Sequence, residues 1–364
     1  AAGTPGLSTG TGDVSVNANT FQGNSAGAGD GGAIHLSGVN GNELGVRLQP
    51  YRVDLFNNVI VNNVAAVAGG GIALVDSPNV RIINNTIARN DSVAVAARTF
   101  NTSLIQGLGN GLSQSTPQPG AGIASYRTSP ALAARIGAGV PVLDGRILSP
   151  QFSNALVFNN LVAQNRQFYF GFDFVNNDPT SPQCQVNAGT NACYGLLPSP
   201  AAPVYSEVAV VGDSAGQPLF TSWQGSTAQW RNNVVSSTAQ PFSSQYYNGP
   251  RDAIVLDPET TTKGLSVAAA FDEGGNFIDL RYGPLSLHQP NGNPWGNYHL
   301  TGTGGTLGQG LNLLATLSLA FAPELLRDRD NTLRPVIGNW VIGAFQTTRV
   351  LNAPLKTQQI AEAQ

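Results

Sequence analysis

A six-residue motif that recurs along the chain constrains the fold more than any other feature. It has the form Asn-x-Φ-x-x-Asn, where Φ is apolar, and its copies begin at Asn19, Asn58, Asn85 and Asn160, with a degraded fifth copy at Asn233. A glycine-rich unit recurs in phase with it, beginning at Gly31 and Gly69 and more loosely at Gly120 and Arg251. The first two copies of both units are separated by 38–39 residues. Each repeat therefore contains both units, as in solenoid proteins.

The repeats predict an all-β fold, a right-handed single-stranded parallel β-helix with long loop insertions and a C-terminal cap. In such a solenoid, equivalent residues of successive coils stack about 4.8 Å apart. The 27 residues from Asn58 to Asn85 suit one compact turn of a three-sided coil. Solvated turns of a β-sandwich are the alternative for the asparagines, but such turns do not recur in register.

Stacking predicts which side chains share a column. We expect a ladder of hydrogen-bonded amides formed by Asn58, Asn85, Asn160 and Asn233. One aliphatic core column is expected from Ile60, Ile87, Val162 and Val235, and another from Ile34, Ile72, Ile123 and Ile254. The glycines that begin at Gly31 and Gly69 are expected to adopt positive φ in tight turns.

The repeats predict one domain over residues 1–350, followed by a tail over 351–364. Irregular composition predicts insertions near 100–150 and 176–228, and a capping region about 301–350, with its helix over 313–322. The aromatic run from Phe168 to Phe174 is consistent with either a packed platform under the second insertion or a core strand.

Cys184 and Cys193 are the only cysteines, and their loop-like surroundings favour a disulfide over two unpaired buried thiols. A disulfide implies an oxidising, extracytoplasmic setting. The chain has no methionine, which fits a processed product or part of a longer polypeptide. We therefore expect a secreted protein, extracellular or on the outer cell surface, with its signal peptide removed.

Charge and hydropathy exclude two classes of partner. A net charge of −3 offers no basic field for nucleic acid. No run of about 18 apolar residues is present, so no membrane-spanning segment is expected.

Two parts of the sequence resemble known families. Phe21-Gln-Gly-Asn24 followed by Gly31-Gly-Ala-Ile34 resembles the FxxN and GGAI repeats of polymorphic outer-membrane proteins, whose passenger domains are β-helical adhesins. The relaxed copies are similar to bacterial pectate-lyase-like β-helix surface proteins. Segments 297–300, 327–335 and 342–345 resemble the closing coils of the choice-of-anchor Q group. These resemblances imply a fold and secretion more firmly than an activity.

The densest patch of ionisable residues supplies weak candidates for catalysis, namely Asp252, Asp257, Asp272, Glu273 and Arg281. Two carboxylates in a groove suit glycoside hydrolysis, and calcium with an arginine suits β-elimination. Solvated turns and ion pairs are the favoured alternative for this patch.

Asp328 and Asp330 have the spacing of weak calcium ligands, but pairing with neighbouring arginines is favoured. Calcium is the only cofactor left open. The three histidines, His35, His288 and His299, lack metal-ligand spacing, and we expect them to be exposed.

Repeats without a catalytic motif favour a structural or adhesive protein that binds a glycan or a surface protein. Whether the chain is an enzyme stays open, with a polysaccharide lyase or glycoside hydrolase acting in a groove as one alternative. A second alternative is a building block of an extracellular filament or complex, in a homo- or hetero-assembly.

Overall fold

The computed structural model describes residues 6–100, 115–173, 193–198, 205–238, 242–244, 297–301, 310–313 and 323–346. The described helices are short: α1 (Pro130–Ile136), α2 (Pro218–Gly225) and two 3-10 turns, Ala97–Thr99 and Pro323–Leu326. Both α-helices begin with a proline, which suits a first turn but not a helix interior. The remaining regular structure is β.

The strands follow one another in coils, and each complete coil visits four sheets, which we call A, B, C and D, in that order. The first coil contains β1 (Val14–Asn17), β2 (Thr20–Gln22), β3 (Ser25–Ala26) and β4 (Ile34–Ser37). The second contains β5 (Val53–Phe56), β6 (Val59–Val61), β7 (Val64–Ala65) and β8 (Ile72–Val75). The third contains β9 (Val80–Ile83), β10 (Thr86–Ala88), β11 (Asp91–Ser92) and β12 (Ile123–Tyr126).

A hairpin of β13 (Val140–Pro141) and β14 (Ile147–Leu148) precedes the fourth coil. The fourth coil contains β15 (Leu156–Phe158), β16 (Leu161–Ala163), β17 (Arg166–Asp173) and β19 (Val208–Val211), with β18 (Cys193–Pro198) antiparallel to β17. Two described strands continue into a fifth coil, β20 (Trp230–Arg231) and β21 (Val234–Ser236). A separate antiparallel pair joins β22 (Phe242–Ser244) to β23 (Asn297–Leu300).

Strands of successive coils pair in parallel, so the architecture is all-β, with parallel strands in stacked sheets, as in a solenoid. The expectation of a three-sided coil is wrong, because the described coils have four sides. The motif marks two of the corners: its first asparagine is the second residue of the corner between sheets A and B, and its second asparagine is the second residue of the corner between sheets B and C.

These two corners have a constant length. Two residues always separate the sheet A strand from the sheet B strand, and two separate sheet B from sheet C. The first residue of each corner adopts positive φ, as at Asn57, Asn62, Asn84 and Asn159. Asparagine tolerates this left-handed conformation better than most residues. The connections from C to D and from D to A vary in length, from the four residues between β8 and β9 to longer excursions.

The apolar columns lie inside the coils. Ile60 pairs in register with Ile87, and Ile87 with Val162, and all three are fully buried. Val162 pairs with Val235 as expected, but Val235 is 38% exposed because it lies in the last described coil.

The second column departs from expectation at its end. Ile34, Ile72 and Ile123 are in register, but the residue that pairs with Ile123 is Val208. Ile254 lies outside the described residues. The strand that contains Val208 follows no copy of the glycine-rich unit, which is why the repeat did not reveal it.

The predicted glycine turns occur at Gly31 and Gly69, both at positive φ. At Gly69 an added Cβ would lie 2.4 Å from the Ile72 carbonyl oxygen. Only glycine fits this position without a shift of the backbone.

Sheets A and B are covered on their outer faces as well. Val59, Val61 and Leu161 pack against Tyr298 and Phe345. Parallel sheets buried on both faces are typically apolar along the whole strand. The described parts of the predicted capping region thus contact the sides of the coils, and whether the region also covers an end of the stack stays a prediction.

Coil strands lie inside both predicted insertions: β12 within 100–150 and β19 within 176–228. Of the aromatic run, Phe168 and Tyr169 are buried in β17, which pairs with β11 on one side and β18 on the other. The predicted helix over 313–322 lies outside the described residues except for Leu313.

Candidate binding site on the first coil

The first coil is more exposed than the second and third coils. Every residue of β5, β6, β9 and β10, in the second and third coils, is buried. In the first coil, β1 and β4 each contain two exposed residues. Of these three coils, the first therefore offers the most side chains to a ligand.

A ladder of amides connects the coils at the corner between sheets A and B. The amide Nδ2 of Asn58 donates to Oδ1 of Asn85 at 3.0 Å, Asn85 to Asn160 at 3.0 Å, and Asn160 to Asn233 at 3.1 Å. The backbone N–H of each donor residue reaches the same oxygen at 2.9 Å. The structure thus brings together all four asparagines that the repeat assigned to a ladder.

A second ladder, which sequence reasoning missed, follows the next corner. Asn24, Asn63 and Asn90 each donate through Nδ2 to Oδ1 of the asparagine in the next coil, every bond being 2.8 Å long. The last rung runs from Asn165 to the buried carboxylate of Glu207 at 2.6 Å. These asparagines are the second members of the motif, so the signal was present in the sequence, whereas no repeat marks Glu207.

Two buried ion pairs also join neighbouring coils. Arg81 contacts both carboxylate oxygens of Asp54 at 2.7 Å. Arg166 contacts both oxygens of Asp91 at 2.9 and 2.8 Å, and both of these side chains are 1% exposed. Bidentate contacts fix the relative orientation of the two side chains and also neutralise their charges.

Four polar side chains converge on the first coil, and we call them the first-coil cluster: Asp30, His35, Arg98 and Tyr126. The carboxylate of Asp30 accepts hydrogen bonds from the Arg98 guanidinium, the Tyr126 hydroxyl and the Ala68 N–H. Asp30 is buried, whereas 56% of the Arg98 side chain is exposed. The cluster thus presents an arginine whose position is fixed by a buried carboxylate.

His35 is exposed, as the sequence predicted, and its Nδ1 lies 3.3 Å from the Asp30 carbonyl oxygen. Because a carbonyl only accepts, Nδ1 carries the proton in this contact, and in the neutral ring Nε2 is an acceptor. The cluster therefore places a donor, Arg98, and an acceptor, Nε2 of the neutral His35 ring, on either side of one residue, Asp30.

Burial raises the pKa of the Tyr126 hydroxyl above its ordinary value, and the hydrogen bond to Asp30 and the charge of Asp30 raise it further. Tyr126 therefore stays protonated at neutral pH and acts as a donor. Its role is to hold Asp30, not to accept a proton.

Sequence reasoning did not find this cluster, because its members are far apart in the chain. Tyr126 and Asp30 are separated by 96 residues, and Arg98 and Asp30 by 68. Only the coil register brings them together.

The sequence-predicted catalytic candidates Asp252, Asp257, Asp272, Glu273 and Arg281 lie outside the described residues, as do Cys184 and His288. Cys193 is the first residue of β18. Catalysis and the disulfide therefore stay predictions.

Asp328 and Asp330, the weak calcium candidates, lie in a turn. The buried Asp328 accepts the backbone N–H groups of Asp330, Thr332 and Gln346. Asp330 contacts Arg329 at 3.4 Å. These are contacts of a folded turn, and calcium binding at it stays a prediction.

The expectation that His299 is exposed is wrong. His299 is 8% exposed, its ring is stacked on Phe345, and Nε2 lies 2.7 Å from Oδ2 of Asp330. The reason is that Phe345 and the turn containing Asp330, both from the C-terminal region, cover the ring.

Among the described residues, no group of three or more His, Cys, Asp or Glu side chains is placed to hold a metal ion, and no helix is long and apolar enough to cross a membrane. No protein-family model, curated protein or solved structure matches the chain.

Proposed function

We propose that the chain is a right-handed parallel β-helix protein of the pectate-lyase-like surface class, with a structural and adhesive role on the outer cell surface. Parallel strands that return to the same sheets after each coil support the fold. Crossover connections between parallel strands are nearly always right-handed, which supports the handedness. The FxxN and GGAI resemblance and the predicted disulfide support secretion.

The ligand in this proposal is a glycan, bound at the first-coil cluster. The observation that carries it is the convergence of Asp30, His35, Arg98 and Tyr126 on the exposed coil. Within the described residues, Asp30 is the only hydrogen-bond acceptor of Arg98, so other guanidinium donors are available to a ligand. Donors and acceptors side by side suit the hydroxyl and carboxylate groups of a polysaccharide.

The inner coils supply the rigid support that such a site needs. Two amide ladders and two bidentate ion pairs join coil to coil, and their members in the inner coils are buried. A ligand group at Arg98 therefore meets a side chain held by a buried carboxylate, which lowers the entropic cost of binding.

Binding of immobilised polygalacturonate, an acidic polysaccharide, and dextran, a neutral one, tests the proposal. We expect Arg98→Ala to weaken binding at least tenfold, since a lost charge-assisted hydrogen bond costs roughly 1.5–3 kcal/mol. His35→Ala should weaken it less.

Arg47→Ala is the matched control, because Arg47 lies over the Tyr51 ring, away from Asp30, and its loss should leave binding unchanged. Equal binding by the Arg98 and Arg47 variants would contradict a role for the cluster. Shortening of either polymer during the assay would contradict a purely adhesive role.

A further inference from the structure

The two amide ladders have a direction. At every asparagine rung the backbone N–H of one coil donates to Oδ1 of the next coil, as from Asn58 to Asn85 and from Asn63 to Asn90. At all of these rungs except the one from Asn19 to Asn58, Nδ2 donates to the same oxygen. Oδ1 of each inner asparagine therefore accepts from the coil before it. Consequently, at the first-coil end of the stack, both ladders end in asparagines whose Oδ1 atoms can still accept hydrogen bonds.

Among the described residues, the acceptors at this end have no donor. Asn19 and Asn24 donate through their backbone N–H groups to Asn58 and Asn63, as inner asparagines do. Within the described residues, no donor contacts Oδ1 of Asn19 or Oδ1 of Asn24. The one described acceptor of Asn19 Nδ2 is Asn17 O, at 2.9 Å in its own coil. In the inner coils, Nδ2 also reaches a carbonyl of the preceding coil, as from Asn85 to Leu55 O at 2.8 Å.

In the part of the chain that the structure describes, β1 and β2 each pair with one strand, so they form an edge of their sheets. On a strand with a single parallel neighbour, alternate backbone N–H and C=O groups point away from that neighbour. Phe21, in the middle of the motif, pairs with Ile60 and is only partly buried at the end of the core column. The edge thus presents two amide acceptors five residues apart with an apolar side chain between them.

We propose that this edge binds an extended segment of another polypeptide that itself carries the Asn-x-Φ-x-x-Asn motif. The segment pairs in parallel with β1 and β2 as a further coil would. Its two asparagines donate through N–H and Nδ2 to Oδ1 of Asn19 and Asn24, and its apolar residue packs on Phe21. This is strand addition with a side-chain code, because both donors must match both acceptors.

The opposite end of a second copy fits this edge less well. Asn233 would supply a donor for one ladder, but the degraded fifth motif has Thr238 at its second asparagine position. The second ladder already ends on Glu207. The fifth coil therefore offers one of the two asparagines that the edge requires, which favours a different chain as the source.

A fluorescently labelled peptide of residues 53–66, which carries the complete second motif, is the probe. We expect it to bind the full chain, as measured by fluorescence anisotropy. The matched peptide with Asn58→Ala and Asn63→Ala should bind at least tenfold more weakly, since it lacks both side-chain donors.

Variants of the full chain distinguish loss of the Oδ1 acceptors from unfolding of the first coil. Asn19→Ala with Asn24→Ala should weaken peptide binding at least tenfold, whereas Asn19→Asp alone, which keeps an oxygen acceptor, should retain most of it. Thermal unfolding of each variant checks that the first coil is folded. Unchanged binding by the double variant, or no binding of the peptide to the unaltered chain at millimolar concentration, would overturn the proposal.

Sedimentation of the chain without peptide tests whether the edge binds a second copy of the chain. Head-to-tail oligomers that disappear in the Asn19→Ala, Asn24→Ala variant would assign the edge to a second copy and overturn the proposal of a different chain. The peptide assay does not involve Asp30 or Arg98, so its result is independent of glycan binding at the first-coil cluster.

Discussion

Asn85 of the third coil and Asn19 of the first occupy the same position of the motif in different surroundings. Asn85 is fully buried, and its Nδ2 contacts Asn160 and the carbonyls of Leu55 and Ile83. Asn19 is exposed, and among the described residues its Nδ2 contacts Asn17 O alone. The same residue is thus a structural element where a coil lies on each side and a surface group where one side is open.

The largest expected effect concerns the ion pairs. Asp91→Ala should lower the free energy of unfolding by about 4 kcal/mol, because Arg166 would stay buried without its carboxylate. Arg52→Ala is the control, since Arg52 pairs with Asp54 at 2.9 Å but is 29% exposed, and should cost less than about 1 kcal/mol. Urea unfolding measures both. Equal losses would show that burial between coils does not set the strength of these pairs.

The ladder itself provides the next test. Asn85→Ala removes the acceptor of the Asn58 N–H and Nδ2 groups in a dry interior and should cost about 3 kcal/mol. Asn19→Ala removes only an exposed contact and should cost less than about 1 kcal/mol. Urea unfolding of the two variants compares them directly. If Asn19→Ala proved as costly as Asn85→Ala, the contrast between first and inner coils would fail.

The smallest expected effect concerns pH and the hairpin of β13 and β14, which docks on the third coil through Arg146. Burial alone would raise the pKa of Asp144, but the hydrogen bond and charge of Arg146 outweigh burial, so the pKa lies below its ordinary value of 3.8. A lowered pKa contributes stability that is present above the unfolded pKa and lost as the pH falls through the folded one.

We therefore expect Asp144→Asn to be less stable than the unaltered chain at pH 7, with the difference shrinking below about pH 4. Free energies of unfolding at pH 7 and pH 3 measure this. The coil ladders contain uncharged amides except at Glu207, so Asn85→Ala serves as the control, whose deficit should change little between the two pH values. If the loss of stability in Asp144→Asn were the same at both pH values, the lowered pKa of Asp144 would not be its cause.

The motif was enough to predict the first ladder and most of the core columns, because a fixed spacing between corners puts like residues in register. Asn58 and Asn85 are 27 residues apart in sequence and hydrogen-bonded in the structure. The outer burial of sheet B also had a signal, because Val59, Ile60 and Val61 are all apolar, which is unusual for a strand with one solvated face.

Other features could not be predicted, since they depend on where irregular connections return to the stack. Val208 takes the position beside Ile123, and Glu207 ends the second ladder, although no motif precedes either residue. The contact between Asp30 and Tyr126 likewise requires the coil register and the course of residues 93–100, neither of which follows from local sequence preference.

The constant two-residue corners on either side of sheet B have a practical consequence for engineering. Foreign peptides inserted there would separate ladder residues, whereas the connection between Ser37 and Val53, which also joins sheet D to sheet A, is longer than its counterpart in the next coil and is exposed over residues 45–48. Peptides inserted at that connection should leave the register of the coils intact, so the stack could display foreign epitopes at a fixed spacing along its axis.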